Sequence, residues 1–209
     1  MPDKDQTNVG DSLGRRARKA LAARRAMFEA GLAGFERQPI GLVSVLDITE
    51  AADVAKGVFY LHFQSKDEFI IALWEDVQRT FLETVRDGAA DMPSAGDRLG
   101  YVAGRYAALA RENPRAARFW LRVNGYLFDE IGQPGQFGGL RQQFLQQLAA
   151  VLAGVRVEEV TQRELRTAGV LDACCWGLIS RAGQLGEAPP EPERFVRIVV
   201  AAAHAAESD

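Results

Sequence analysis

The stretch Val45-Leu-Asp-Ile-Thr-Glu-Ala-Ala-Asp-Val-Ala-Lys-Gly-Val-Phe-Tyr-Leu-His-Phe-Gln-Ser-Lys-Asp-Glu-Phe69 reads as two short helices, a tight turn and the start of a long helix. Val45, Ile48 and Ala52 fall at i, i+3 and i+7, the stripe of a helix of about two turns. Ser44 supplies a capping oxygen for its first turn, and Asp47 a carboxylate where a helix N-terminus favours one. Asp53 stands where the chain must turn, and Asp is among the few non-glycine residues that enter the left-handed region readily. A second helix restarts near Ala55. On it Val54, Val58 and Leu61 are expected to face inward or along the packing seam, leaving Lys56, Tyr60 and the backbone around Gly57 open to a partner. Two helices joined by about three or four residues, the second bearing a small residue, a cation and an aromatic hydroxyl, form a helix-turn-helix pattern.

The run from Ile48 to Phe69 resembles the TetR family of bacterial transcriptional regulators, whose pattern is Ile-Ala, Ala-Gly-Val-Ser, Gly-Thr, Tyr, His-Phe and Ser-Lys in this order. The resemblance implies DNA contacts from Ser44, Ala55, Lys56, Gly57, Tyr60, His62 and Lys66. Lys56 would meet a base edge or phosphate and Tyr60 a phosphate, while Gly57 would let the helix approach the groove closely. Lys66 opens the long helix with a cation where acids are usual, so its ammonium and the helix N–H groups can share one phosphate. Ser44 can bind phosphate besides capping. His62 is open to two readings, a backbone contact or a packed structural histidine. Three positions depart from the pattern. Val58 stands for threonine, which removes a hydroxyl but offers a methyl to thymine; Asp53 stands for glycine at the turn, and Pro39 for the glycine that closes the first helix.

Net charge is −3, so the chain as a whole is no polycation. Positive charge is instead gathered ahead of the motif in Arg15, Arg16, Arg18, Lys19, Arg24 and Arg25, with no acid between Ser12 and Phe28. That is either a solvated helix face or a footprint for phosphate; in the resembled family such an extension reaches the DNA backbone or minor groove. Hydrophobic residues make up 47% and charged residues 25% of the 209, values ordinary for a globular protein. No apolar run approaches the roughly 20 residues of a membrane span, and the polar first residues do not read as a secretory signal. Cys174 and Cys175 are adjacent, poorly placed for a mutual disulfide and suited to packing, and a cytoplasmic location is expected.

The remaining segments predict an all-α chain with no strand. Residues 1–12 read as a disordered arm, residues 13–65 as the helix-turn-helix domain and residues 66–209 as a helical ligand-binding and dimerisation domain. The first helix begins near Leu13, buries Leu21, Met27, Phe28, Leu32 and Phe35, and ends at Pro39 and Gly41. Ser65 to Glu68 is a capping box that opens a helix at Lys66, running to about Arg86 with Gly88 as its stop. Ser94 and Asp97 start another, Asn113-Pro114 the next, and Gly132, Pro134, Gly135, Gly138 and Gly139 read as a break. Thr161 to Glu164 is a second capping box, and Pro189, Pro190 and Pro192 lead into a last helix over about residues 193–206. That helix is apolar almost all round, and with the Thr161 helix it would form half of a four-helix bundle across a two-fold axis.

Aromatic residues crowd the middle of the chain. Most read as core, yet rings with a few polar groups also make a small-molecule pocket. The candidates are Arg105, Tyr106, Trp120, Asn124, Phe128, Phe144 and Trp176. No catalytic constellation, metal-ligand spacing or phosphate-binding glycine loop is apparent, so no enzyme activity, metal or cofactor is expected. The sequence therefore points to a homodimeric repressor, released from a pseudo-palindromic operator in double-stranded DNA by a small-molecule effector. The competing reading is a helical small-molecule-binding protein or enzyme with a degenerate headpiece.

Overall fold

A computed structural model describes residues 4–129, 134–184 and 191–207. Among the described residues the chain forms α-helices and two 3₁₀ turns, with no strand. The helices are α1 (Lys4–Arg37), α2 (Val45–Ala51), α3 (Lys56–His62), α4 (Lys66–Ala89), α5 (Ala95–Glu112), α6 (Pro114–Asp129), α7 (Pro134–Ala153), α8 (Gln162–Gln184) and α9 (Pro192–Glu207). The turns are Ile40–Leu42 and Val157–Glu159. The chain divides into two compact units, Met1–Leu73 and Trp74–Asp209, and the division falls inside α4.

In the first unit α1 begins at Lys4, well ahead of the expected start near Leu13. No proline lies between residues 4 and 13, so no backbone donor is missing from that extension. Met27, Phe28, Leu32 and Phe35 are buried as the stripe requires, but Leu21 is 60% exposed. It shares a face with Phe28 seven residues on, but the seven-residue helices α2 and α3 that cover this face are only about 10 Å long and leave that turn bare. The core below is a nest of rings. Phe63 meets Phe69 edge-on at 5.1 Å between centroids, and Phe28 and Phe59 lie within 6 Å of both. Gly31 exists for this nest: a Cβ there would come within 2.7 Å of the Phe69 ring.

α2 is capped as its sequence asks. Ser44 Oγ accepts from the Asp47 N–H at 3.1 Å, and Asp47 Oδ2 accepts from the Ser44 N–H at 2.8 Å. At its other end Asp53 adopts φ 52°, the left-handed conformation the turn needs. The Asp53 N–H donates to the Glu50 carbonyl and the Val54 N–H to that of Thr49, the paired bonds of a Schellman stop. The chain then enters α3 with Phe59 fully buried and Leu61 83% exposed. The expectation that Leu61 faces inward is therefore wrong. At about 100° per residue, Leu61 stands some 200° round the helix from Phe59, which holds the core position.

In the second unit the helix starts fall where the caps were read. Ser94 Oγ accepts from the Asp97 N–H, Asn113 Oδ1 from the Ala116 N–H, and Thr161 and Glu164 bond reciprocally. The glycine punctuation is less reliable. α4 passes through Gly88 to Ala89, and α7 begins at Pro134 and absorbs Gly135, Gly138 and Gly139. Proline at a first helical position is pre-organised for the helix, and a helical glycine costs only about 1 kcal/mol relative to alanine. Gly132, Pro189 and Pro190 lie outside the described residues. α9 buries Phe195 and Val199 but leaves Ile198 41% exposed, so its outward side is uncovered within one chain.

Candidate nucleic-acid interface and effector region

α3 presents Lys56, Gly57, Tyr60 and Leu61 to solvent, with Val58 half-buried beside them and Ala55 exposed as the N-cap. A Cβ built on Gly57 meets no atom within 4 Å. The protein itself thus has no steric need for glycine there, in contrast to Gly31. Tyr60 is 51% exposed, and its ring lies edge-on against Phe59. His62 is half-buried and stacks toward Phe63 at 6.0 Å. Ser44 is exposed, and its hydroxyl donates to Asp47 Oδ2 at 2.7 Å. These hydrogen bonds, that from the Ser44 side chain first, hold the Asp47 carboxyl below the usual carboxylate range.

Lys66 has an internal task that its sequence position did not reveal. Its ammonium donates to the Gly41 carbonyl at 2.9 Å and approaches that of Ile40 at 3.4 Å. It thereby ties the start of α4 to the 3₁₀ turn ahead of α2. The cap at this helix start runs from the Glu68 N–H to Ser65 Oγ, while Glu68 Oε2 accepts from the Gln64 N–H. Arg15, Arg16, Arg18, Lys19 and Arg25 are exposed along α1. Arg24 instead lies over the Phe28 and Phe63 rings, 4.7 and 5.0 Å from their centroids, a cation–π clamp between α1 and the end of α3. Exposed acids also line this region, at Asp47, Glu50 and Asp53.

In the second unit Tyr106, Trp120, Phe144 and Trp176 come together around Phe81. Trp120 stacks against Trp176 at 4.9 Å, and Tyr106 lies 4.5 Å from Phe81. Arg105 is held apart, its guanidinium 3.4 Å from Glu112. The side chains of Asn124 and Phe128 lie outside the described residues. The polar heart of this cluster was missed. Asp172 is 1% exposed, and it accepts from the Tyr106 hydroxyl at 2.7 Å and from Arg141 at 2.9 Å. Burial raises the Asp172 pKa, with Arg141 and the Tyr106 hydroxyl opposing the rise. Tyr106 is pushed well up, first by burial and then by the Asp172 charge. The same burial pushes the Cys175 thiol up, away from the thiolate form that reacts. The signal for Asp172 was present in the sequence, as a carboxylate inside the stripe Ala168, Leu171, Cys175, Trp176 and Ile179.

Gln78 and Trp120 are buried, and neither Gln78 Nε2 nor Trp120 Nε1 has a hydrogen-bond acceptor. A buried donor left unpaired costs about 1–3 kcal/mol. Two cavities lie in this unit, both apart from the aromatic cluster: one of about 510 Å³ between Leu99, Leu152 and Thr167, and one of about 450 Å³ between Arg86, Arg98 and Arg156. Among the described residues no group of His, Cys, Asp and Glu is placed to hold a metal, and no helix is long and apolar enough to cross a membrane.

Residues 22–73 match the family of bacterial regulatory proteins named tetR, the segment that holds the Arg24 clamp, the ring nest and α3. Over 70 residues the chain is 37% identical to the HTH-type transcriptional repressor DhaR of Mycobacterium sp. (strain GP1), covering 32% of this chain and 35% of that repressor. The match thus spans about a third of that relative's length. Two solved structures share the fold across nearly the whole chain. A TetR family transcription regulator from Marinobacter aquaeolei VT8 has a TM-score of 0.68 at 16% identity, covering 91% of this chain and 97% of that one. The regulator FadR from Bacillus subtilis, solved in complex with stearoyl-CoA, has a TM-score of 0.63 at 15% identity, covering 85% and 98%. Residues 22–73 thus match the tetR family of bacterial regulatory proteins, and the chain shares its fold with solved regulators along most of its length.

Proposed function

We propose that the chain is a homodimeric transcriptional repressor that binds a pseudo-palindromic operator through α3 and is released by a small-molecule effector. The observation that carries this reading is Gly57. A glycine inside a helix costs about 1 kcal/mol relative to alanine, and no atom of the protein occupies the space a side chain would need. A surface that must come close from outside gives that glycine a purpose. Lys56 and Tyr60 flank it with an ammonium and a hydroxyl, and the exposed arginines of α1 add phosphate-binding charge. Two copies of α3 would enter successive major grooves about 34–36 Å apart.

The effector would be read by the aromatic cluster of the second unit. Its apolar body suits Trp120, Trp176 and Phe144, and its acceptor atoms suit the unpaired N–H groups of Gln78 and Trp120. α4 carries Phe69 into the first core and Gln78 and Phe81 into the second, so a change at one end can be felt at the other. Release requires the effector to favour the DNA-incompetent state by about 1–3 kcal/mol. Dimerisation would use the outward sides of α8 and α9.

The test is selection of tight binders from duplexes with a randomised core, followed by anisotropy titrations with wild type and with Gly57→Ala, Lys56→Ala and Tyr60→Ala. Gly57→Ala should raise thermal stability and yet weaken binding at least tenfold, a combination no folding defect can produce. A wild-type protein that ignores duplex DNA even at low salt defeats the proposal.

A further inference from the structure

The outward face of α3 is unusually short of hydrogen-bonding groups. Gly57 and Leu61 are one turn apart and form its ridge, with Tyr60 and Lys56 on one flank and Val58 on the other. Lys56 and Tyr60 supply the side-chain donors on that face, both from a single flank. Leu61 is 83% exposed, and Leu42, Leu46 and Tyr60 in the same unit are exposed by half or more. Half of the large exposed apolar side chains among the described residues thus fall between positions 42 and 61, in the unit that carries α3.

In the major groove each base pair offers donors and acceptors, and A·T pairs also offer the thymine methyl. A leucine can satisfy only the methyl. Set against guanine O6 and N7 or the cytosine amino group, it would strip water from polar edges and return no hydrogen bond. The same side chain therefore favours thymine and penalises G·C pairs.

We propose that Leu61, with Val58 beside it, is the specificity-determining contact of this regulator and reads thymine methyl groups in the major groove. The proposal rests on the reading of α3 as the DNA-contacting helix. Polar atoms of Lys56 and Tyr60 fix the helix against the backbone, and the apolar ridge chooses the bases.

Deoxyuridine tests this directly, because it pairs as thymidine does and lacks only the methyl. A duplex selected from the randomised pool is resynthesised with each thymidine replaced in turn by deoxyuridine, and each is titrated against wild type and Leu61→Ala. Leu61 is too exposed for its truncation to disturb the fold. The selected sequences should carry thymine at fixed positions in each half-site. Deoxyuridine at one or two of those positions should weaken wild-type binding about fourfold per methyl and leave Leu61→Ala binding unchanged. Tight specific binding that is indifferent to deoxyuridine at every position overturns the methyl reading and leaves the regulator intact. Failure to select any duplex overturns both, and self-association lost in Leu61→Ala would then assign the ridge to a protein partner instead.

Discussion

Asp53 and Asp172 both stand where most side chains of their kind or size would not, Asp53 in a left-handed turn that Asp tolerates and Asp172 in the core, and each has a different reason to be there. Asp53 occupies the left-handed region at φ 52°, where a β-branched side chain is strained by about 1–2 kcal/mol. Asp53→Val should lower stability by that amount while Asp53→Gly lowers it not at all, as read from urea midpoints. Asp172 is buried because it joins the Tyr106 hydroxyl to Arg141. Asp172→Ala leaves both donors without an acceptor, and Arg141 is only about one-third exposed, so the loss should be about 2–4 kcal/mol. The pH dependence has a definite sign. Burial raises this carboxyl above its unfolded value of about 3.9, so the folded state holds the proton more tightly. Its contribution is greatest below the unfolded value and is lost as pH rises through the folded one. Asp172→Asn has no such titration, so its deficit against wild type should shrink from pH 4 to pH 7, measured by denaturation at each pH.

Two glycines in the first unit make opposite demands on their helices. Alanine improves helix propensity at either site by about 1 kcal/mol. At Gly57 nothing opposes that gain. At Gly31 the new Cβ collides with a Phe69 ring that Phe28, Phe59 and Phe63 hold in place, and overpacking costs about 1–3 kcal/mol. Thermal melts should show Gly57→Ala stabilised and Gly31→Ala level or destabilised. Helix boundaries could be read in advance because caps are local: Ser44, Ser65, Ser94, Asn113 and Thr161 each bond within four residues. What covers a helix face is not local. Leu21 carries the same apolar signal as Phe28, and only the extents of α2 and α3 leave it bare; Leu61 carries the same signal as Phe59, and only the face that α3 turns to the core decides between them. The double task of Lys66 was hidden for the same reason, since its acceptors lie 25 and 26 residues away.

For the whole molecule, α8 bears Gly169, Ala173 and Gly177 at four-residue spacing, and the Cβ positions of both glycines meet nothing within 4 Å. If α8 pairs two copies as proposed, Gly177→Leu should fold as well as wild type in one chain and fail to pair, and sedimentation should show the variant as a monomer beside a dimeric wild type. Architecture and the helix-turn-helix were readable because periodicity and a fixed-spacing motif specify them. The aromatic cluster of the second unit was read with Arg105 and Asn124 among its polar groups and without Asp172, because Asp172 and Arg141 are brought together from α8 and α7 by packing alone. α1 carries one more consequence. Ahead of Met27 its residues from Gly14 onward are exposed or half-exposed, so this stretch depends on its own hydrogen bonds, and an isolated helix of such length is marginal in water. Its amides should exchange with deuterium far faster than those of the ring nest and slow markedly on operator binding. The basic arm would then trade entropy for phosphate contacts at the moment of docking, and affinity for DNA would weaken on warming more steeply than the core's stability does.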